Sequence, residues 1–323
     1  MVTKKYLFIL FSIILFTFIF ALILSNIKIK EYISTYEYFN SYQEIRIYSY
    51  SEKKANKALK YIDDLLKEYD LLTSRNIISG NNTYMINRSE EVLDIDPKLY
   101  QLIEYGLELN NLSNGYININ SGEFTNIFNK AKINKTKPNY KDIDIKKIEL
   151  LSDNKINSLN TILDFNSIIK MYVGDLIKEY LEENGIRCYT INFLGSAIIG
   201  ENKNSHFSVA IEKPYTNASE YIAILSLNNK SVSSVGPYQN YYKLDNKIYH
   251  NLIDYDTKEM ITNYESVTVV ADTPKKANLL SYMLYFMEIE DGKKILKEYN
   301  ADAIWYTLDK KIIYSDGMKS YLN

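Results

Sequence analysis

Cysteine, histidine and glycine are all scarce in this sequence. Cys188 is the single cysteine, so an intrachain disulfide framework is excluded. The two histidines, His206 and His250, are too few for a histidine-rich metal centre, and any metal would have to take oxygen ligands. An excess of one charge is also missing: 38 Lys and Arg face 40 Asp and Glu, a formal balance of -2. That removes the basic field on which nucleic-acid binding depends. Gly numbers only 11 against 31 Tyr, and the richness in Tyr, Asn, Ile and Lys reads as a genome composition bias that dilutes the information in any one aromatic. What is present suffices for a fold. With 46% hydrophobic and 24% charged residues over 323 positions, the chain can bury one or two full cores. No internal repeat and no Walker, GxGxxG, HExxH or GxSxG motif occurs.

The amino terminus carries the one long apolar run. Tyr6 to Ser25 has no charged residue, and a helix of about 20 residues spans roughly 30 Å, the thickness of a bilayer core. No small-x-small cleavage pattern ends the run, so residues 1–26 read as an uncleaved signal anchor, a single transmembrane helix. Lys4 and Lys5 place its start in the cytoplasm. The expected location is the cell membrane, with residues 27–323 forming one extracytoplasmic domain.

Within that domain, Glu44 to Ser49 alternates like a half-buried strand, and Ala55, Ala58, Leu59, Ile62, Leu65, Leu66 and Tyr69 recur at helical spacing. The stretch Ser74 to Thr83 reads as a loop. Pro97 opens a second helix, and a third runs from Asn166 to about Asn184 before Gly185. Residues 131–160 read as a polar surface excursion. Beyond the third helix come strand runs at Cys188 to Ile199, Phe207 to Ile211, Tyr221 to Leu227, Ser266 to Ala271, Ala303 to Leu308 and Lys311 to Ser315. An apolar-faced helix, Lys275 to Glu288, separates two of them. Strands and helices interleave without a regular βαβ period, which predicts an α+β fold with mixed or antiparallel sheets and packed helices.

Three constellations carry chemistry-bearing residues. Asp164-Phe-Asn-Ser-Ile-Ile-Lys170 runs into a helix whose first-turn N–H groups and lysine suit a phosphate, although an Asp there is as readily a cap. Ser234-Val-Gly-Pro-Tyr238 is a turn with an aromatic, followed by Tyr249-His250-Asn251-Leu252-Ile253-Asp254. Ala277-Asn278-Leu279-Leu280-Ser281-Tyr282 places Asn278 and Tyr282 on one helix face.

In order and spacing these segments resemble the FAD:protein FMN transferase family, also called the ApbE family. Asp164 to Asp175 follows the family pattern D-L-N-S-I-A-K-G-Y-A-V-D at Asp164, Asn166, Ser167, Ile168, Lys170, Tyr172 and Asp175. Ser113 to Asn118, Phe207-x-Val209-x-Ile211-x-x-Pro214, Ser234 to Tyr238, Asn251 to Asp254 and Ser266 to Asp272 echo further family segments. The resemblance implies transfer of FMN from FAD to a Ser or Thr of an acceptor protein, assisted by Mg²⁺. It also implies that Asp164 and Lys170 contact FAD, that Tyr116, Ile117, Asn118 and Ile253 line the flavin pocket, and that the Ser167 carbonyl faces the metal. The sequence departs from the family at the chemistry itself. Asn251 stands where the family has a catalytic His, with His250 one residue early, while Asn278 and Tyr282 replace a metal-binding Asp and Thr. This pattern leaves three functions open: flavin transfer, binding of flavin or a flavoprotein partner without transfer, and an extracytoplasmic scaffold whose pocket has closed.

Overall fold

The computed structural model describes residues 28–203, 205–216 and 220–323. The predicted transmembrane helix lies outside them, and no helix among the described residues is long and apolar enough to cross a membrane.

The fold is α+β and is built on one antiparallel sheet whose strands follow each other in chain order. They are β1 (Lys30–Tyr38), β2 (Ser41–Ser49), β3 (Tyr189–Phe193), β4 (Ser196–Ile199), β5 (Lys230–Val235), β6 (Ser266–Ala271), β7 (Asp302–Tyr306) and β8 (Ile312–Tyr314). Each strand pairs with the one before it, and the register aligns Ile45 with Ile191, Ile191 with Ile198 and Val269 with Ala303. Apart from the closing turn at Asp316–Tyr321, the remaining elements are inserted between neighbouring strands. The largest insertion, between β2 and β3, holds the helices α1 (Glu52–Thr73), α2 (Pro97–Leu112), α3 (Gly122–Asn134) and α4 (Ile169–Glu183). The helices α5 (Pro274–Phe286) and α6 (Ile289–Tyr299) join β6 to β7.

Side-chain alternation divides the core between the two faces of the sheet. Ile45, Ile47, Ile191, Ile198, Val267, Val269 and Trp305 join the large cluster under the helices. Ile199, Val232, Val270, Ile304 and Tyr306 point the other way, under the hairpin of Phe207–Glu212 and Tyr221–Leu227. β6 is therefore buried along its whole length, its polar Ser266 and Thr268 included.

α1 buries the seven residues that its periodicity picked out and is capped by Ser51. α4 ends as its sequence requires: Gly185 takes a left-handed φ of 64° and donates to Glu182, while Ile186 donates to the Leu181 carbonyl. The run Cys188 to Ile199 is not one strand but the hairpin β3–β4, turning at Gly195, whose φ is 84°. Residues 131–134 belong to α3, and Glu149–Leu151 and Lys155–Asn157 add a small sheet to the polar excursion.

Gly174 lets α4 sit against the sheet, because a Cβ there would lie 2.3 Å from Ile198 Cδ1 and 3.1 Å from Phe193 Cε2. Both neighbours are buried and cannot swing out. Gly174→Ala is expected to destabilise the fold by about 1–3 kcal/mol, read as a lower urea midpoint at unchanged m-value.

Candidate functional site

The site is assembled on one stripe of α5. Asn278, Tyr282 and Phe286 are four residues apart and share a face. The helix lies close to the sheet, with the Ser281 hydroxyl 3.0 Å from that of Ser233 on β5. Each residue of the stripe meets a different inserted segment.

At the N-terminal end, Asn278 Nδ2 donates to the Ser167 carbonyl at 3.1 Å. Asn278 is buried, and its Oδ1 has no hydrogen-bond partner among the described residues. One turn on, the Tyr282 phenol is pushed up by burial, with Tyr255 and the Asp164 carboxylate adding to the shift. Burial likewise pushes Tyr255 up to about 12, although a hydrogen bond with Ser121 works against it. Both phenols stay protonated near neutral pH. At the far end, Phe286 stacks on Tyr116 with ring centroids 4.4 Å apart and planes within 6°. The Tyr116 phenol is pushed up by burial and by Asp254 and Asp256.

Asp164 is fixed by four segments. Its N–H donates to the Ile119 carbonyl at 2.8 Å, and the preceding Leu163 is held through both its N–H and its carbonyl by Asn87. Asp164 Oδ1 accepts from the Asn166 N–H at 2.8 Å, and Oδ2 accepts from Arg75 Nη1 at 2.7 Å. Arg75 Nη2 also donates to the Gly122 carbonyl and to Asn126 Oδ1. Gly122 is required here because a Cβ would meet the Ile162 carbonyl oxygen at 2.5 Å. A polar cleft of about 470 Å³ opens beside Asp164, lined also by Asp70, Arg75, Asn126 and Asn166. A larger cleft of about 730 Å³, lined by Phe207 to Glu212 and the strands beside them, takes in Ser234 and Tyr238 of the second constellation but none of the residues the resemblance assigns to flavin or metal.

Lys170 lies in the first turn of α4, half-buried. Burial holds its ammonium below the ordinary lysine range, and among the described residues no carboxylate pairs with it. A cation in that state favours an incoming anion. The other residues expected to line a flavin pocket are mostly engaged in packing. Ile117 is wholly buried, with its N–H donating to Ser113 Oγ. Ile253 packs with Phe124, Tyr140 and Ile143. Asn118 shapes its own loop, its Oδ1 accepting from the Asn120 N–H and its carbonyl from Ser121 Oγ.

The order of these segments along the chain decides the family. Residues 39–305 match the model of the ApbE family. The chain belongs to the ApbE family. Similar curated relatives include the FAD:protein FMN transferases of Buchnera aphidicola subsp. Schizaphis graminum, 28% identical over 59% of this chain and 61% of that protein, and of Buchnera aphidicola subsp. Baizongia pistaciae, 26% identical over 76% and 74%. The first of these alignments thus spans about three fifths of the relative's length. Among solved structures, the ApbE protein of Thermotoga maritima superposes with a TM-score of 0.75 at 16% identity, covering 91% of this chain and all of that one. The flavin transferase ApbE of Vibrio cholerae gives 0.71 at 18% over the same shares. At such identities the superpositions establish the fold.

Against this family frame the histidine region is distinct. His250 is 1% exposed. Its Nδ1 accepts from the Leu252 N–H at 3.2 Å, which leaves the proton on Nε2, 2.7 Å from Thr262 Oγ1. Both ring nitrogens are thus occupied, away from Asp164 and Asn278 in the bonding network, while Asn251 is exposed and its amide is no base. The oxygens at the expected metal position suit Mg²⁺ poorly. The Ser167 carbonyl is already bonded, Asn278 offers one neutral oxygen, Tyr282 a protonated phenol, and both Asp164 oxygens are engaged. Among the described residues no three His, Cys, Asp or Glu side chains cluster for a metal.

Burial pushes the His250 ring down to about 4 from 6.5. Because the folded state resists protonation, this contribution to stability is complete above about pH 6.5 and is lost as pH falls towards about 4, by about 3 kcal/mol. Urea midpoints taken above and below that window should fall more steeply for the wild-type chain than for His250→Gln, which lacks the titration. Equal slopes would show that His250 is not held neutral.

Proposed function

We propose that this chain is a flavin transferase that takes FAD as substrate and a Ser or Thr of an acceptor protein as the receiving group, working on the extracytoplasmic side of a membrane to which residues 1–26 anchor it. The observation that carries the reading is Lys170, a half-buried ammonium without a counter-charge among the described residues, in the first turn of the helix that the Asp164 segment opens. It sits within the stretch that matches the family. A pyrophosphate supplies the charge that Lys170 lacks, and the N–H groups of a helix start add to the attraction. The relatives named above are FAD:protein FMN transferases, which supports the same substrate.

In such a transfer the acceptor hydroxyl oxygen bonds to the phosphorus of the FMN half and the bridging P–O bond breaks. AMP leaves with the bridging oxygen, and the hydroxyl gives up its proton. Lys170 would neutralise charge on the pyrophosphate, and Tyr116 with Phe286 offers an aromatic surface for the flavin ring. No step is assigned to Mg²⁺, because the oxygens at that position fit it poorly. A second reading, binding of FAD or a flavoprotein partner without transfer, is favoured by one observation: both nitrogens of His250 are occupied and Asn251 cannot take the proton.

The full chain in detergent, incubated with FAD and membrane proteins of its own organism, should yield a fluorescent protein band that survives a denaturing gel. FAD should also raise the melting temperature. Lys170→Ala is expected to weaken FAD binding about tenfold or more and to remove the band. A melting shift without a band establishes the second reading, and no shift at saturating FAD overturns both.

A further inference from the structure

We propose that the side-chain amide of Asn278 occupies, in this chain, the place of a divalent cation between α5 and the loop before α4, so that the site holds its ligand without a divalent ion. For the identity of that ligand the inference rests on the FAD reading; for the metal it does not.

The geometry is specific. A carbonyl oxygen can only accept, so the amide must turn its N–H to the Ser167 carbonyl, and the 3.1 Å separation is that of a hydrogen bond. A bridging cation does the same work, drawing in a backbone oxygen that would otherwise be buried without a partner. Both devices present positive charge, partial or full, to one oxygen, and one site cannot contain both. The other half of the amide shows the consequence. Asn278 Oδ1 is buried and has no partner, as expected when a residue is kept for its N–H and its oxygen is left over. Asn278 is 4% exposed, so water does not readily satisfy that oxygen.

The neighbouring groups are consistent with this arrangement. A divalent ion would require carboxylate charge beside it, yet the nearby carboxylate, Asp164, already accepts from Arg75 and from the Asn166 N–H. The Tyr282 phenol is pushed up by burial and by that carboxylate, so it brings no negative charge either. The positive charge on that carboxylate comes from a protein group, the guanidinium of Arg75, fixed covalently in the chain. An Asp at position 278 would reverse the arrangement, facing the Ser167 carbonyl with a negative oxygen and creating the need for a cation.

The test is thermal unfolding of the full chain in detergent at mildly alkaline pH, with EDTA or with millimolar MgCl₂, each with and without FAD. For the wild-type chain the melting temperature should be the same in EDTA and in Mg²⁺, and the rise caused by FAD should be equal in both. Asn278→Asp in EDTA should melt lower by about 3–8 °C, because two oxygens then face each other with no hydrogen between them. Mg²⁺ should restore it. A wild-type chain stabilised by Mg²⁺, or an FAD shift that appears only with Mg²⁺, overturns the inference. So does an Asn278→Asp chain as stable as wild type in EDTA, or one that Mg²⁺ fails to restore. If that variant does not fold, the wild-type comparison still decides. An absent FAD shift in every arm defeats the functional reading, while the ligand-free comparison continues to judge the metal.

Discussion

The close seat of α5 on the sheet is the constraint on which the site depends. Ala277 and Ser281 are small and four residues apart, and the Ser281 hydroxyl meets Ser233 on β5 at 3.0 Å. A larger side chain at either position would lift the helix. The adjacent stripe, Asn278, Tyr282 and Phe286, about 100° round the helix, would then lose the Ser167 carbonyl, the neighbourhood of Asp164 and the Tyr116 ring together. One rigid helix thus sets where the turn before α4 and the Tyr116 loop, themselves joined by the Asp164 N–H on the Ile119 carbonyl, stand against the sheet. Fixing site residues through a helix packed on a sheet holds them more firmly than loops could.

Electrostatics divide the site into settled and unsettled charges. The Arg75–Asp164 pair is settled: the carboxylate is buried, the guanidinium also reaches Gly122 and Asn126 on α3, and removing either partner would leave a buried charge alone. Lys170 is unsettled, with its ammonium held low by burial and no carboxylate answering it among the described residues. The tyrosines are neutral and His250 is neutral. An anion therefore finds one uncompensated cation. Among the described residues both nitrogens of His250 are bonded, so this ring is not free to take a proton from an attacking hydroxyl, which is the central tension between ligand binding and transfer in this site.

Much of the architecture was legible because burial imposes periodicity. Helix α1 was written in seven residues at helical spacing, and β6 in the Val- and Thr-rich run Ser266–Ala271, which is buried on both faces. The edge strand β1 was not legible, since its inward residues Tyr32, Tyr36 and Tyr38 are only partly buried and tyrosine is abundant throughout. Arg75 was also missed. It lies in a Ser, Gly and Asn stretch that reads as a plain loop, and its partners are 47, 51 and 89 residues away in sequence. No local pattern encodes contacts of that range. The one available signal was Arg75 itself, the only arginine in that loop.

The sequence by itself determined the α+β class, the family segments and their order, and the replacements at Asn251, Asn278 and Tyr282, because these are properties of residue type and spacing. Only the tertiary structure decided what the replacements do. That Asn278 donates to Ser167, that Tyr282 lies by Asp164, and that His250 is closed off by Leu252 and Thr262 are facts of distance and burial. A side chain's chemistry is written at its position, but whether that chemistry is free or spent depends on which polar atoms the fold brings to face it.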